Sequence, residues 1–311
     1  MSTKMSSVSH SFGGDWTLTK LQILSKYLKA YNVALDGKPS LDRPFRRAFI
    51  DAFAGTGYRS VGADLPEDTF RPSIPELEIV DTVRLLDGSA RMALMVEPRF
   101  DKYIFIEKNR DRCNELSALR TEFPDRAASI QIYEGDANEE IQKLCRANWA
   151  HHRAVMFLDP YGLQVDWKTI EAIAATKAID LWILFPLGIG VNRLLVRDGN
   201  IPLAWRRRLD SLLGTTEWFD EFYKLETRND LLGTDITQIT KQGIDCIGQF
   251  FINRLSQIFP GVSRNPAILR NSTNCPMYMF CFAVANPNGV KPAMKIAGDL
   301  LKKVERNGTR K

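Results

Sequence analysis

FIDAFAGTG, residues 49–57, is an apolar run that ends in an acid, Asp51, and continues into a turn with two glycines, Gly55 and Gly57. An unbroken apolar run is typical of a strand that is buried on both faces of a parallel sheet. Glycines after such a strand let the backbone approach a ligand closely, since they carry no Cβ. The stretch predicts a strand that leads into a loop for a nucleotide-like ligand, although a tight turn after a core strand has the same pattern.

Further apolar runs follow this stretch, and three of them end in polar residues. Glu107 ends the run 103–107, Asp136 follows 130–133, and Asp159 follows 154–158, while a fifth strand is predicted at 179–186. In an open parallel sheet, ligands bind outside the carboxyl ends of the strands. We therefore predict an α/β fold with a doubly wound, mostly parallel Rossmann-like sheet and with four polar strand ends at one crevice.

Length and composition limit the cellular context. The chain has 311 residues and five cysteines, with no Cys-x-x-Cys pair and no even set for a disulfide framework. Zinc and disulfides are therefore not expected. No apolar run approaches the roughly 20 residues of a membrane span, and the first dozen residues lack the apolar core of a signal peptide. We expect a soluble, cytoplasmic protein without a bound metal.

Basic residues are concentrated in three segments, although the net charge is only +5. Such clusters predict a polyanionic partner, for which nucleic acid is the candidate. Solvated helix faces would give the same pattern. The last cluster includes Lys302 and Lys303. The residues of the middle cluster that we expect to bind substrate are Arg193, Arg206, Arg207 and Arg208.

The apolar spacing divides the chain into four predicted segments. The first contains a helix at 15–30, because its apolar residues recur at intervals of three and four. The third is an inserted helical subdomain that we expect to recognise a substrate or partner. The segments are an N-terminal helical segment (1–45), a Rossmann-like cofactor-binding core (46–186), the helical insert (187–265) and the C-terminal strands and helix that complete the core (266–311).

The segment 58–88 separates the glycine turn from the helix that normally follows it. Three prolines and several acids indicate an irregular loop, and loops of this length in compact domains are usually functional or disordered. We interpret this loop as a candidate lid. The helix is then expected to begin with Ser89 as its cap.

Six motifs, taken in order, resemble the three-Cys-motif partner (TcmP) family, which is itself similar to S-adenosylmethionine-dependent methyltransferases of the Rossmann-like class. They extend over nearly the whole chain. The resemblance implies S-adenosylmethionine as cofactor and, as a partner, a three-cysteine protein that resembles radical-SAM enzymes. The motifs are WTLTKL at 16–21, FIDAFAGTG at 49–57, GSA at 88–90, FDKYIFIE at 100–107, FLDPYG at 157–162 and MYMFCFA at 277–283.

The resemblance to methyltransferases implies a role for each strand end. Asp51 would lie under the methionine portion of the cofactor, and Glu107 would accept hydrogen bonds from both ribose hydroxyls, because a carboxylate has two oxygens and no donor. Asp136 and the backbone of the next residue would face the adenine amine. The implied cofactor-binding residues are Asp51, Phe53, Ala54, Gly55, Gly57, Glu107, Asp136 and Ala137.

The predicted reaction centre is Asp159-Pro160-Tyr161-Gly162, because the resemblance places the methyl acceptor at the fourth strand end. Amine methylases of nucleic acid have a similar Asp-Pro-Pro-aromatic stretch, in which the acid holds an amine and the aromatic stacks on the base. Here the second proline is absent and Tyr161 comes one place early, so a simple turn remains an alternative. Trp167 would replace the missing stack, unless it is an ordinary buried helix residue.

Three function classes agree with these patterns. The first is a methyltransferase that acts on a nucleic acid or a nucleic-acid-associated substrate, with the basic clusters on its phosphates. The second is a catalytically silent cofactor-binding partner of a three-cysteine protein. The third is a nicotinamide enzyme, which the missing third glycine of the dinucleotide fingerprint disfavours. The sequence favours the first class.

Overall fold

The computed structural model describes residues 14–55, 88–229 and 235–308. The helices in these ranges are α1 (Gly14–Ala34), α2 (Ser89–Leu94), α3 (Arg110–Ser117), α4 (Leu119–Glu122), α5 (Ala137–Cys145), α6 (Trp167–Ala175), α7 (Leu203–Leu213), α8 (Trp218–Phe222), α9 (Ile244–Ile258) and α10 (Val290–Gly308). The strands are β1 (Arg46–Asp51), β2 (Lys102–Glu107), β3 (Ile130–Glu134), β4 (His152–Leu158), β5 (Ile179–Phe185), β6 (Tyr223–Asn229), β7 (Asp235–Lys241), β8 (Gly261–Val262), β9 (Ala267–Arg270) and β10 (Pro276–Val284).

The central sheet has eight strands in the order β3-β2-β1-β4-β5-β10-β8, with β9 also paired to β10. Strands β1 to β5 are parallel to one another, whereas β10 runs antiparallel between β5 and β8. The chain winds to one side of β1 as far as β3 and then crosses to the other side with β4. This reversal is the topological switch point of a doubly wound sheet, where ligands bind. The predicted fold class is confirmed.

Side chains of the central strands alternate between two buried layers. Phe49, Phe157 and Trp182 pack in the layer that contains α1, α2 and α10. Ile50 and Leu158 pack in the layer that contains α5, α6 and α9. Because both faces of the sheet are covered, the strands appear in the sequence as unbroken apolar runs, as the prediction assumed.

The segment between β5 and β9 contains more than helices. The helices expected there are present as α7, α8 and α9, and their apolar residues are buried. The antiparallel hairpin of β6 and β7 was not predicted from the sequence. The segment packs directly on the sheet, since the ring of Phe251 stacks on Phe185 with centroids 4.0 Å apart. The four-segment division and its boundaries stay a prediction.

Two predicted features fall wholly or almost wholly outside the described residues. The candidate lid at 58–88 is one, since only its last residue is described, and Gly57 is the other. None of the helices in the described ranges is long and apolar enough to span a membrane. Within the same ranges, no three His, Cys, Asp or Glu side chains are grouped as metal ligands would be, and the five cysteines are free thiols.

Candidate functional site

The carboxyl ends of β1, β2 and β4 bring three acids to one edge of the sheet. Asp51 is the last residue of β1, Glu107 is the last residue of β2, and Asp159 directly follows β4. Asp51 and Asp159 each come two residues after a side chain that points to the α1 and α2 layer, so strand alternation directs both toward that layer. Asp51 and Asp159 are more than a hundred residues apart in the sequence. The parallel pairing of the strands brings them to the same edge of the sheet, at the switch point.

The loop after β1 is bonded to both neighbouring strands. The N–H of Ala52 donates to the carbonyl of Phe157 on β4 at 3.2 Å, and the N–H of Ala54 donates to the carbonyl of Ile106 on β2 at 3.2 Å. Gly55 has φ +60°, which favours glycine, and a Cβ added there would meet no atom of the described residues within 4 Å. The loop is thus held at the switch point.

Glu107 is fixed by two backbone donors. Its Oε2 accepts from the N–H of Gly55 at 3.1 Å, and its Oε1 accepts from the N–H of Asn109 at 2.8 Å. A carboxylate has about four lone-pair sites, so each oxygen keeps capacity for a further hydrogen bond. The carboxylate is therefore oriented in advance, and it remains able to accept from two ligand hydroxyls.

Asp51 is fully buried beneath this loop. Its Oδ1 accepts from the N–H of Phe53 at 3.2 Å and its Oδ2 from the hydroxyl of Ser89 at 2.5 Å. The pKa of Asp51 is raised to about 7, chiefly by burial; the hydrogen bonds from Ser89 and Phe53 and the charge of Lys20 oppose this rise, and the negative charge of Asp159 adds to it. Asp51 is therefore partly protonated near neutral pH.

The prediction that Ser89 caps α2 is wrong. Ser89 is the first residue of the helix, the preceding Gly88 has extended backbone, and no side chain makes a capping hydrogen bond. The serine hydroxyl instead binds Asp51, because the start of α2 lies against the end of β1. Ser89, which was expected to cap α2, therefore contributes its hydroxyl to the crevice at the end of β1.

Lys20 of α1 reaches the predicted reaction centre, and the sequence analysis missed it. Lys20 is only 2% exposed, and its ammonium makes an ion pair with Oδ2 of Asp159. The two residues are 139 positions apart, so no local pattern connects them. One signal was available, because Lys20 lies four residues before Leu24 and seven before Tyr27, on the stripe of α1 that is buried.

The segment after Asp159 presents an aromatic ring to solvent. Pro160 is buried, whereas Tyr161 is 52% exposed. Gly162 has φ +73°, so the segment also contains a tight turn. Trp167 is 2% exposed and lies edge-on to Phe251, so the interpretation of Trp167 as an ordinary core residue is confirmed and the stacking alternative is wrong.

Asp136 and Asn138 connect the end of β3 to the reaction-centre segment. Asp136 caps α5, with Oδ1 accepting from the N–H of Asn138 at 2.9 Å, and the adjacent Ala137 is buried. The amide of Asn138 donates to the carbonyl of Gln164 and accepts from the N–H of Asp166, each at 2.9 Å. The predicted adenine end of the crevice is therefore tied to the predicted acceptor end through Asn138, which the sequence analysis did not single out.

The predicted substrate-binding arginines do not form one exposed cluster. Arg208 donates to the carboxylate of Asp166 at 2.8 Å and also to the carbonyl of Leu163. Arg206 lies over the ring of Phe219, 4.6 Å from its centroid. The exposed members are Arg193 and Arg207. The structure thus uses Arg208 to hold the segment after Gly162, and a role of these arginines in substrate binding stays a prediction.

Similarity to known proteins is limited to distant structural resemblance. No protein-family model and no curated protein matches the chain. A Legionella pneumophila protein described by the family model DUF519 is 12% identical, with 94% of this chain and 93% of that chain covered and a TM-score of 0.44. A Listeria monocytogenes protein provisionally described as an S-adenosylmethionine-dependent methyltransferase is 10% identical, with coverages of 85% and 98% and a TM-score of 0.34.

Spermidine synthase from Thermotoga maritima is 9% identical, with 91% of this chain and 62% of that chain covered and a TM-score of 0.41. Similarity at this level carries no information on activity. The resemblance to the three-Cys-motif partner family also stays a prediction, since no family model matches.

Proposed function

We propose that the protein is an S-adenosylmethionine-dependent methyltransferase whose cofactor lies in the crevice at the ends of β1, β2 and β3. The observation that carries the proposal is the pairing of Glu107 with Gly55 at the switch point. This pairing places beside the glycine turn an oriented carboxylate that accepts one hydrogen bond at each oxygen from the residues that the structure describes. A ribose with two adjacent hydroxyls matches such a carboxylate.

The residues at the other strand ends are suited to the remaining parts of the same cofactor. Asp51 lies beneath the loop as a buried acceptor for the methionine portion, and Asp136 follows β3 at the expected adenine end. When bound there, S-adenosylmethionine supplies an electrophilic methyl group. A buried acid such as Asp51 also favours a cationic sulfonium over a neutral ligand.

Asp159 and Tyr161 would then act on the methyl acceptor. Methyl transfer requires in-line positioning in a site with little water, so hydrogen bonds to the acceptor provide much of the rate. Asp159 would accept a hydrogen bond from the acceptor and take its proton, while the exposed ring of Tyr161 would lie against it. A nucleic-acid acceptor is supported by two exposed arginines suited to phosphate contacts, Arg193 after β5 and Arg207 on α7.

The proposal is tested by ligand-dependent thermal stability followed by turnover. S-adenosylmethionine and S-adenosylhomocysteine should raise the melting temperature, whereas NAD should not, since a ligand that binds only the native state stabilises it by mass action. Formation of S-adenosylhomocysteine with DNA or RNA would then show transfer. A rise with NAD alone would assign the crevice to a nicotinamide cofactor and overturn the proposal.

A catalytically silent cofactor-binding protein that serves a three-cysteine protein is the second candidate. The ion pair between Lys20 and Asp159 favours it, because the predicted acceptor-binding acid already has a cationic partner. This alternative predicts that S-adenosylmethionine binds but is not consumed with DNA, RNA or protein acceptors. Turnover by the isolated chain would exclude it.

A further inference from the structure

The ion pair between Lys20 and Asp159 is built into the packing of α1. Lys20 lies on the same face of the helix as Leu24 and Tyr27, both of which are fully buried. Burying an ammonium is costly unless an anion compensates it. Asp159 provides that anion, and its side chain remains 25% exposed, so the pair is reachable from one side. Helix packing therefore fixes a cation at the predicted acceptor end of the crevice.

The charges of three groups at this point influence one another. The pKa of Asp51 is raised by Asp159 and lowered by Lys20, after the larger effect of burial, which places all three in one electrostatic environment. Lys20 offsets the negative charge of Asp159. The pair of Lys20 and Asp159 therefore adds no net charge to the acceptor end of the crevice.

We infer that Lys20 is a positioning residue for methyl transfer, and that the acceptor group is an uncharged N–H or O–H, such as the exocyclic amine of a nucleobase, and not an alkylammonium. The inference rests on the proposed function. A protonated alkylamine would bring a second cation next to Lys20, which like-charge repulsion disfavours. An uncharged donor needs only a free lone pair on the oriented carboxylate of Asp159.

The chemistry balances with this assignment. The lone pair of the acceptor forms the bond to the methyl carbon, and the electron pair of the broken carbon–sulfur bond stays on sulfur. The proton that the acceptor releases goes to the carboxylate of Asp159. If the charge of Lys20 did not reach the cofactor, replacing Lys20 would leave the relative affinities for charged and uncharged cofactors unchanged, and this difference can be measured.

The test compares the affinities for S-adenosylmethionine, which is cationic at sulfur, and S-adenosylhomocysteine, which is not. Lys20→Met leaves Asp159 uncompensated and should raise the ratio of the two affinities in favour of the cation by about tenfold, as expected for one unit charge nearby at an effective dielectric constant near 20. Lys20→Arg should restore the ratio. Lys26→Met, at an exposed position of the same helix, is the matched control.

Calorimetry on the full chain measures both affinities, and melting curves show whether each variant is folded. If Lys20→Met does not fold, Asp159→Asn provides the test with the opposite sign, since it removes the negative charge of Asp159 and should lower the ratio. An unchanged ratio in a folded variant overturns the role of Lys20. If the wild type binds neither ligand, the proposed function itself fails.

A second measurement tests the acceptor class. Wild-type protein is incubated with methyl-labelled S-adenosylmethionine and either total RNA, genomic DNA or polylysine. Label in the nucleic acids and not in polylysine is the expected result. Label in polylysine, whose acceptors are alkylammonium groups, overturns the assignment of an uncharged acceptor, whereas cofactor binding in the same samples would still support the proposed crevice.

Discussion

Asp51 and Asp180 are two buried acids with similar electrostatics at opposite ends of the sheet. They are 0% and 5% exposed, and burial raises the pKa of each to about 7. Asp51 ends β1 at the switch point and binds Ser89 and the loop backbone. Asp180 is the second residue of β5, near its amino end, and accepts from the hydroxyl of Tyr27 at 2.6 Å. The two acids therefore have similar pKa values but different hydrogen-bond partners.

The comparison shows that a raised pKa reports burial and does not by itself identify a functional site. The pKa of Tyr27 is also raised, chiefly by burial, so its hydroxyl stays protonated and donates permanently to Asp180. Asp180 therefore connects α1 to the sheet. Asp51 faces an open turn and a second acid, and its position at a carboxyl strand end supports a role in ligand binding.

The largest expected effect on activity comes from removing the carboxylate of Asp159. Asp159→Ala should lower methyl transfer by at least about a hundredfold, because a positioned proton acceptor typically contributes that much or more. The affinity for S-adenosylhomocysteine, measured by calorimetry, should change little, since the acid is assigned to the acceptor. Asp180→Asn is the control and should transfer normally. Normal turnover by Asp159→Ala would move the reaction centre elsewhere.

The pH dependence of stability tests the structural role assigned to Asp180. An acid whose folded pKa is raised from 3.8 to about 7 contributes stability that is fully present below pH 4 and is lost as pH rises to about 7. Asp180→Asn removes this loss of stability, because asparagine does not ionise. Its amide oxygen still accepts the hydrogen bond of the Tyr27 hydroxyl. Its free energy of unfolding at pH 8 should exceed that of the wild type by on the order of 3 kcal/mol.

Denaturant titrations at pH 4 and pH 8 measure this effect, and the two proteins should differ little at pH 4. Asp51→Asn should show a similar gain in stability at pH 8 but should also weaken S-adenosylmethionine binding, which Asp180→Asn should not. Equal effects of the two substitutions on binding would remove the distinction between the two acids.

Loss of the Glu107 carboxylate should weaken the cofactor site without unfolding the protein. Glu107→Ala should reduce S-adenosylmethionine affinity by on the order of 1.5–3 kcal/mol, the usual contribution of hydrogen bonds to a charged group. Glu134→Ala is a matched control, because Glu134 is an exposed acid that ends the neighbouring strand β3. Unchanged affinity in the Glu107 variant, measured by calorimetry, would exclude Glu107 from the site.

The smallest expected effect concerns the basic surface. If about three phosphates are neutralised, nucleic-acid binding should weaken about tenfold or more as salt rises from about 50 to about 200 mM, and Arg207→Ala should reduce the logarithmic slope by about one. Arg208→Met should leave the slope unchanged and lower the melting temperature, because Arg208 is bonded to Asp166. Fluorescence titrations with labelled RNA and DNA decide between these outcomes.

Residue patterns alone predicted the sheet, because a strand buried on both faces requires an apolar run and a polar residue marks its exposed end. The ends at Asp51, Glu107 and Asp159 were located for this reason. The hairpin β6–β7 was missed, although ITQIT in β7 is rich in the β-branched residues that are typical of a strand.

The partners of the site acids could not be predicted in the same way. Lys20 meets Asp159 and Ser89 meets Asp51 only because α1 and α2 pack on the same face of the sheet. Such contacts depend on the angle and depth at which a helix packs, which neither residue's neighbours in sequence encode. Arg208 illustrates the same limit, since an arginine run has the same sequence whether its members face solvent or hold a loop.

The position of β10 has a consequence for biosynthesis. This strand is made near the end of the chain, yet it lies between β5 and β8 and brings Phe280 and Phe282 within 4.7 Å of the ring of Trp182. A ribosome that has already produced every acid of the crevice has not yet produced the strand that covers Trp182. Until then the nascent polypeptide carries an unpaired apolar strand edge, which is the kind of surface that aggregates and that chaperones bind. A nonsense mutation between residues 186 and 276 would therefore yield a product that contains all four strand-end acids but lacks the strand that covers Trp182.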